Sequence, residues 1–241
     1  MDQTLHRLAE TFGIVTPIAR QRTLPTSLRQ LHQHILRHFA EHATAPEPGP
    51  LREWAHQLDI ELDAALDQLV AVDLVEADPA TARLLGAYPF SAIPRGHKVQ
   101  LAGGPTIEAY CAIDALGIPA MLDRDVVISS RDPQTGEPIR ITVTNGQASW
   151  HPDNTVVVVG SGPNCGPSAC QSCPYITFHS SSATAAAYLQ ATNVAGEILT
   201  QPQALAAGAL LFGHLLRPVV ESATGTSESG DSITDHRQVA G

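Results

Sequence analysis

The sequence predicts an α+β protein, and three observations carry that reading. Apolar residues recur at helical spacing through the first third of the chain. Strand-like runs separated by turn signals fill the middle, and Ala-rich helical segments close the folded part. With 241 residues, 43% hydrophobic and 16% charged, the chain has material for one large domain or two small ones.

Taken in order, residues 1–22 read as a short helix followed by a connector containing Pro17. In "PTSLRQLHQHILRHFAEHA", Leu28, Leu31, Ile35, Leu36 and Phe39 share a helical face, with Thr26 or Ser27 as the N-cap. "APEPGP" stops that helix. "LREWAHQLDI" and "ELDAALDQLVAVDLV" give two more, and "VEADPATARLLGAYPFSA" reads as a hairpin turning at "DPAT". Three helices and a hairpin follow the plan of a winged-helix module, so residues 1–84 are expected to form a helical winged-helix-like region. The core, residues 85–218, holds "GGPTIEAYCAIDALGIP", which reads as one short helix starting at Pro105 or Thr106 and ending at Gly117 and Pro119. Then "DVVISSRDPQTGEPIRITVTNGQASWHPDNTVVVVG" supplies three strand-like runs, divided at "DPQTGEP", "NG" and "HPDN". A Cys-rich loop, "YITFHSS" and two Ala-rich helical segments through Arg217 follow. Residues 219–241 carry almost no large apolar side chain and are expected to be a disordered tail.

Charge narrows the function classes. A formal net charge of −10 disfavours a surface built to track phosphates. The segment that would enter a DNA groove carries Glu61, Asp63, Asp67 and Asp73 and no basic residue, so a nucleic-acid partner is not expected. "ALAAGALLFGHLL" is too short to span a bilayer, no N-terminal signal pattern is present, and a cytoplasmic, membrane-free protein is the expectation. His32, His34, His38 and His42 line a helix, and His34 and His38 have metal-ligand spacing, but no acidic or Cys partner is implied; a solvated face is expected. His179 reads as a core or edge histidine.

The chemistry-bearing residues are four cysteines, at 111, 165, 170 and 173, and one aspartate. On a helix, positions i and i+3 share a face, so the sulfur of Cys111 and the carboxyl of Asp114 can approach one site. A carboxylate inside "AYCAIDALGIPAML" is costly to bury unless it is hydrogen-bonded, paired or protonated. A lone Cys in such a run also fits a small buried hydrophobe.

"AYCAIDALGIPAML", "DVVISSRDPQTGEPIRITV" and "SCPYITFHSS" together resemble the catalytic core of the alkylmercury (organomercurial) lyases, over roughly residues 85–217. The resemblance rests on the Cys-x-x-Asp pair, the Thr135-Gly136-x-Pro138 turn and a later Cys. It implies an antiparallel sheet with packed helices and protonolysis of a carbon–mercury bond with no cofactor required. It also implies an organomercurial substrate, Hg(II) as bound product, and small thiols or a mercuric reductase as acceptor. Cys111, Asp114 and Cys173 match the family's catalytic set: Cys111 and Cys173 as thiolates, Asp114 as proton donor. Hg(II) is a soft acid suited to two thiolates, and a desolvated Asp can hold the proton the departing carbon needs. The chain departs from the family pattern at Asp132, where relatives often carry another cysteine, at Tyr110 in place of Trp, and at Pro174 and Tyr175.

A second reading stays open. Cys170-x-x-Cys173 has zinc-knuckle spacing. With Cys165 and Cys111 it could hold zinc or an iron–sulfur cluster in a noncatalytic metal-binding or sensing protein. The metal-ligand candidates are therefore Cys111, Cys173, Cys165 and Cys170.

Overall fold

The computed structural model describes residues 16–163 and 166–218. Helix α1 (Pro17–Arg22) starts where the sequence suggested a connector. Proline lacks an amide hydrogen that the first helical turn would leave unpaired anyway, and Thr16 Oγ1 accepts the Ala19 N–H at 3.1 Å. Residues 1–15 lie outside the described part. Helix α2 (Thr26–His42) buries Leu28, Leu31, Ile35, Leu36 and Phe39 as the periodicity predicts. Its N-cap, however, is Pro25, with Thr26 already helical and no side-chain cap. Helices α3 (Pro48–Gln57) and α4 (Leu62–Ala71) follow, the first beginning within the segment expected only to stop α2.

Strands β1 (Val75–Ala77) and β2 (Leu84–Ala87) form the expected hairpin. It does not stand apart, because β2 pairs with β3 (Phe90–Ser91) and so joins an eight-stranded antiparallel sheet of order β1-β2-β3-β5-β4-β6-β7-β8. The stack of Phe39 on Phe90, ring centroids 5.8 Å apart, ties α2 to that sheet within one continuous core. The remaining strands of this sheet are β4 (His97–Leu101), β5 (Thr106–Ala109), β6 (Val126–Arg131), β7 (Pro138–Thr144) and β8 (Gln147–His151). β4 and β7 alternate buried and exposed residues, the signature of a sheet with one covered face. The β7–β8 turn uses Asn145 and Gly146, both at positive φ (50° and 74°), as a tight hairpin requires.

A second sheet, order β10-β9-β11, is built from β9 (Val156–Ser161), β10 (Ile176–His179) and β11 (Ala195–Leu199). The β6–β9 stretch thus holds four strands where three runs were expected. β11 was missed altogether, its "AGEIL" being short and flanked by helical composition. Helices α6 (Ser168–Gln171), α7 (Ser182–Thr192) and α8 (Gln201–Phe212) complete the described part. The tail from residue 219 lies outside it.

The helix predicted over 105–117 is corrected. Thr106–Ala109 is strand β5, and helix α5 runs Ala112–Leu122, capped by Cys111 and closed by Asp123 in the left-handed region. Gly117 and Pro119 lie inside it rather than at its end. Gly117 is there for contact, not for termination. A β-carbon on it would stand 2.4 Å from the Phe212 ring and 2.8 Å from the Gly208 carbonyl, and one on Gly208 would stand 2.7 Å from Gly117 N. Two glycines face each other where α5 crosses α8, and the backbones meet directly. Pro119 costs the helix the bond its nitrogen would give to Ala115, but the surrounding core holds the turn.

Gly117→Ala should destabilise the protein by about 1–3 kcal/mol through overpacking against backbone. Gly117→Val should do worse, and urea unfolding of both against the wild type checks it.

Candidate functional site

Three side chains from two distant segments converge beneath the crossing of α5 and the second sheet. β5 delivers Cys111 to the N-cap of α5, where its backbone is extended (φ −150°, ψ 179°) and its Sγ accepts the Asp114 N–H at 3.4 Å. Asp114 therefore stands in the first turn directly above Cys111. The i, i+3 pairing expected from the sequence is realised as a cap rather than along a helix face. Cys173 arrives from a 3-10 turn (Cys173–Tyr175) between α6 and β10. That turn is fixed by the Gly162 N–H, which donates to the Gln171 carbonyl at 2.9 Å, and by Tyr175 packed on Gly162.

The ligand atoms of Cys111, Asp114 and Cys173 lie within 4.8 Å of one another, and all three residues are buried, at 2%, 4% and 8% exposure. The Cys173 thiol points at Asp114 Oδ2, 3.8 Å away. Cys111 and Cys173 are free thiols. A cavity of about 170 Å³ opens over them, lined by Tyr88, Ile113, Leu211 and Phe212 among others.

Burial sets the protonation of the group. It pushes the Asp114 carboxyl up to about 7, against the opposing pull of hydrogen bonds from both cysteines. Burial also lifts the Cys111 thiol well above its usual range, helped by its hydrogen bond to Cys173 and the neighbouring Asp114 carboxylate. For Cys173 the hydrogen bond received from Cys111 pulls the thiol down. Desolvation and the carboxylates of Asp114 and Asp73 outweigh it, and the net direction is up. Burial thus favours the neutral thiols, while Asp114 sits near the midpoint of its titration at neutral pH.

The entrance is built by residues whose role the sequence did not reveal. Asp73 accepts hydrogen bonds from the Arg20 guanidinium on α1, from the Ser168 hydroxyl at 2.5 Å and from the Ser168 N–H at 3.2 Å. Arg20 also donates to the Asp73 carbonyl at 2.8 Å. The Tyr88 hydroxyl accepts the Ala169 N–H at 2.9 Å. α1, the turn after α4 and the start of α6 are thereby tied together around the cavity mouth. No spacing or motif signals a contact between residues 20, 73 and 168.

The remaining candidates fall elsewhere. Cys170 is disulfide-bonded, so its sulfur offers no thiolate; among the described residues it does not join the three-donor group. Cys165 lies outside the described residues. His34 stacks on Trp54 at 5.4 Å and His38 packs on His42 at 4.4 Å, with no third donor among the described residues. His32, expected on a solvated face, is instead fully buried against Gln21, its Nδ1 2.9 Å from the Gln21 Nε2. His179 is a core residue as expected, its Nε2 2.9 Å from Thr177 Oγ1. Asp132 is buried and receives the Ser180 N–H at 2.8 Å, clamping the end of β10.

Residues 90–213 match the family model described as MerB: Alkylmercury lyase. The chain belongs to the alkylmercury lyase family. An alkylmercury lyase of Staphylococcus epidermidis is 28% identical over 134 residues, which are 55% of this chain and 59% of that protein. Another from Bacillus cereus is 29% identical over 152 residues, 63% of this chain and 66% of its relative. The chain thus matches about three fifths to two thirds of the length of these curated relatives. Among solved structures, the mercury-bound form of MerB2 superposes with a TM-score of 0.66 at 26% identity. That match covers 83% of this chain and 96% of the other.

The raised pKa of Asp114 has a thermodynamic consequence. Its folded pKa, about 7, exceeds the unfolded value of about 4, so the native state holds the proton more tightly than the unfolded chain. The stability this contributes is full below about pH 4 and is lost as pH rises to about 7. Asp114→Asn, which cannot titrate, should lack this loss. The stability difference between variant and wild type, from urea unfolding at pH 4.5 and 7.5, should shift in favour of the variant at the higher pH.

Proposed function

We propose that this protein is an organomercurial lyase, in which Cys111 and Cys173 bind mercury and Asp114 delivers the proton that releases the hydrocarbon. The observation that carries the reading is the buried convergence of two free sulfurs and one carboxyl within 4.8 Å. Family membership and the likeness to a mercury-bound structure support it.

The substrate enters as R–Hg(II) carried by a small thiol. Cys111 displaces that thiol, its proton leaving on the departing thiol, and Cys173 then adds to mercury as its own proton passes to Asp114. The N-terminal end of α5 stabilises negative charge on Cys111 as the proton leaves. The Cys173 proton has a short path to Asp114 Oδ2, at 3.8 Å. Asp114 is poised near neutrality to accept it and to give it up again. Two thiolates donate electron density to mercury and weaken its bond to carbon. The electron pair of the carbon–mercury bond takes the Asp114 proton, R–H departs, and Hg(II) remains on the two sulfurs until incoming thiols exchange with it. Ile113, Leu211 and Phe212 offer the organic group an apolar wall.

The zinc or iron–sulfur reading needs four thiolates on one centre. The described residues supply two and a carboxylate, so the lyase reading fits the donor set better.

Purified protein with excess small thiol should convert methylmercury to methane or phenylmercury to benzene. Asp114→Ala should cut product formation by roughly 10²–10⁴-fold while Hg(II) binding persists, and Cys173→Ser should lose both. No hydrocarbon from either substrate, with stoichiometric zinc or iron in the isolated protein, would overturn the assignment.

A further inference from the structure

A cleft of about 280 Å³ lies on the face of α1 away from the sulfur pocket, between α1, the start of α2 and the turn after α8. It is lined by Arg22, Arg29, Arg217, His214, Gln21 and Gln33, and among the described residues no acidic side chain lines it. Three of the chain's 14 Lys and Arg side chains thus meet in one place, on a protein of net charge −10. Among the described residues, none of the three guanidiniums forms an ion pair. Among the described residues the buried Arg29 Nε has no hydrogen-bond partner, and its Nη2 donates to Thr26 Oγ1 at 3.1 Å.

The cleft is also preformed. Gln33 Nε2 donates to the carbonyls of Leu215 (2.9 Å) and Arg217 (2.8 Å), and Gln21 Nε2 donates to Leu215 at 3.1 Å. These two buried glutamines pin the segment carrying His214 and Arg217 against α1 and α2. Like charges gathered by a rigid scaffold repel one another unless an anion joins them, and guanidinium forks match a phosphate or carboxylate in pairs.

We infer that this cleft binds an oxyanion group, phosphate or carboxylate. The group comes either from a small molecule or from the chain's own acidic segment beyond Pro218, which carries Glu221, Glu228, Asp231 and Asp235. Because α1 walls both cavities, an anion in the cleft holds in place the helix that presents Arg20 to the pocket mouth.

The test is calorimetric titration of the full chain with inorganic phosphate and with citrate, against chloride at matched ionic strength. One saturable site is expected. Arg29→Gln, and separately the exposed pair Arg22→Gln with Arg217→Gln, should each weaken phosphate binding at least tenfold, the pair leaving the urea midpoint in chloride unchanged. In the full chain with E221Q, E228Q, D231N and D235N, a gain in phosphate affinity of threefold or more assigns the site to the chain's own carboxylates. Unchanged affinity assigns it to free anions. Absence of saturable binding to both the wild type and this neutralised chain, or binding that survives both arginine changes, overturns the inference.

Discussion

The structure depends on the burial of α5 on every side. Its residues from Ala112 to Pro119 are all buried, and it lies between the large sheet, the small sheet and α8. A helix apolar all round has no solvent face to fix its rotation, so contact must do so. The Gly117–Gly208 approach locks α5 against α8, and the strand β5 that feeds it locks its start. Two of the three converging groups ride on this element, and the third reaches it from the turn before β10. Backbone packing thus brings the sulfurs together, and the Asp114 N–H to Cys111 Sγ bond fixes the orientation within the cap.

The same burial sets the chemistry. Removing water from a carboxyl and two thiols favours their neutral forms, and each carboxylate nearby adds to that preference. Asp73 belongs to this balance although it touches neither sulfur nor Asp114: its charge is felt by Asp114, Cys173 and Tyr88. Its two-sided tie to Arg20 and Ser168 keeps that charge at the cavity wall. Rigidity and electrostatics come from one residue at the end of α4, held at a positive φ of 54°.

Much of this was legible in the sequence, for reasons that differ by element. The helical face of α2 and the Asn145-Gly146 turn are local patterns, and local patterns survive folding. Cys111 and Asp114 were legible as a pair because an acid in an apolar run has few innocent explanations. The start of α5 was misread because Pro105 and Thr106 imitate a helix start while β5 is completed by partners at β3 and β4. Gly117 looked like a stop because nothing in the chain announces Gly208 on the other side of the contact. His32 looked solvated for the same reason: its partner Gln21 belongs to α1, which the sequence did not delineate. The network of residues 20, 73 and 168 exists only in three dimensions.

Arg20 and Asp73 both precede the stretch that matches the family model, which begins at residue 90. The cavity wall is thus shared: Arg20 and Asp73 lie before the matched stretch, while Ser168 and the converging Cys111, Asp114 and Cys173 lie within it. A substitution at Arg20 or Asp73 reshapes the cavity wall while leaving the two sulfurs and the carboxyl in place.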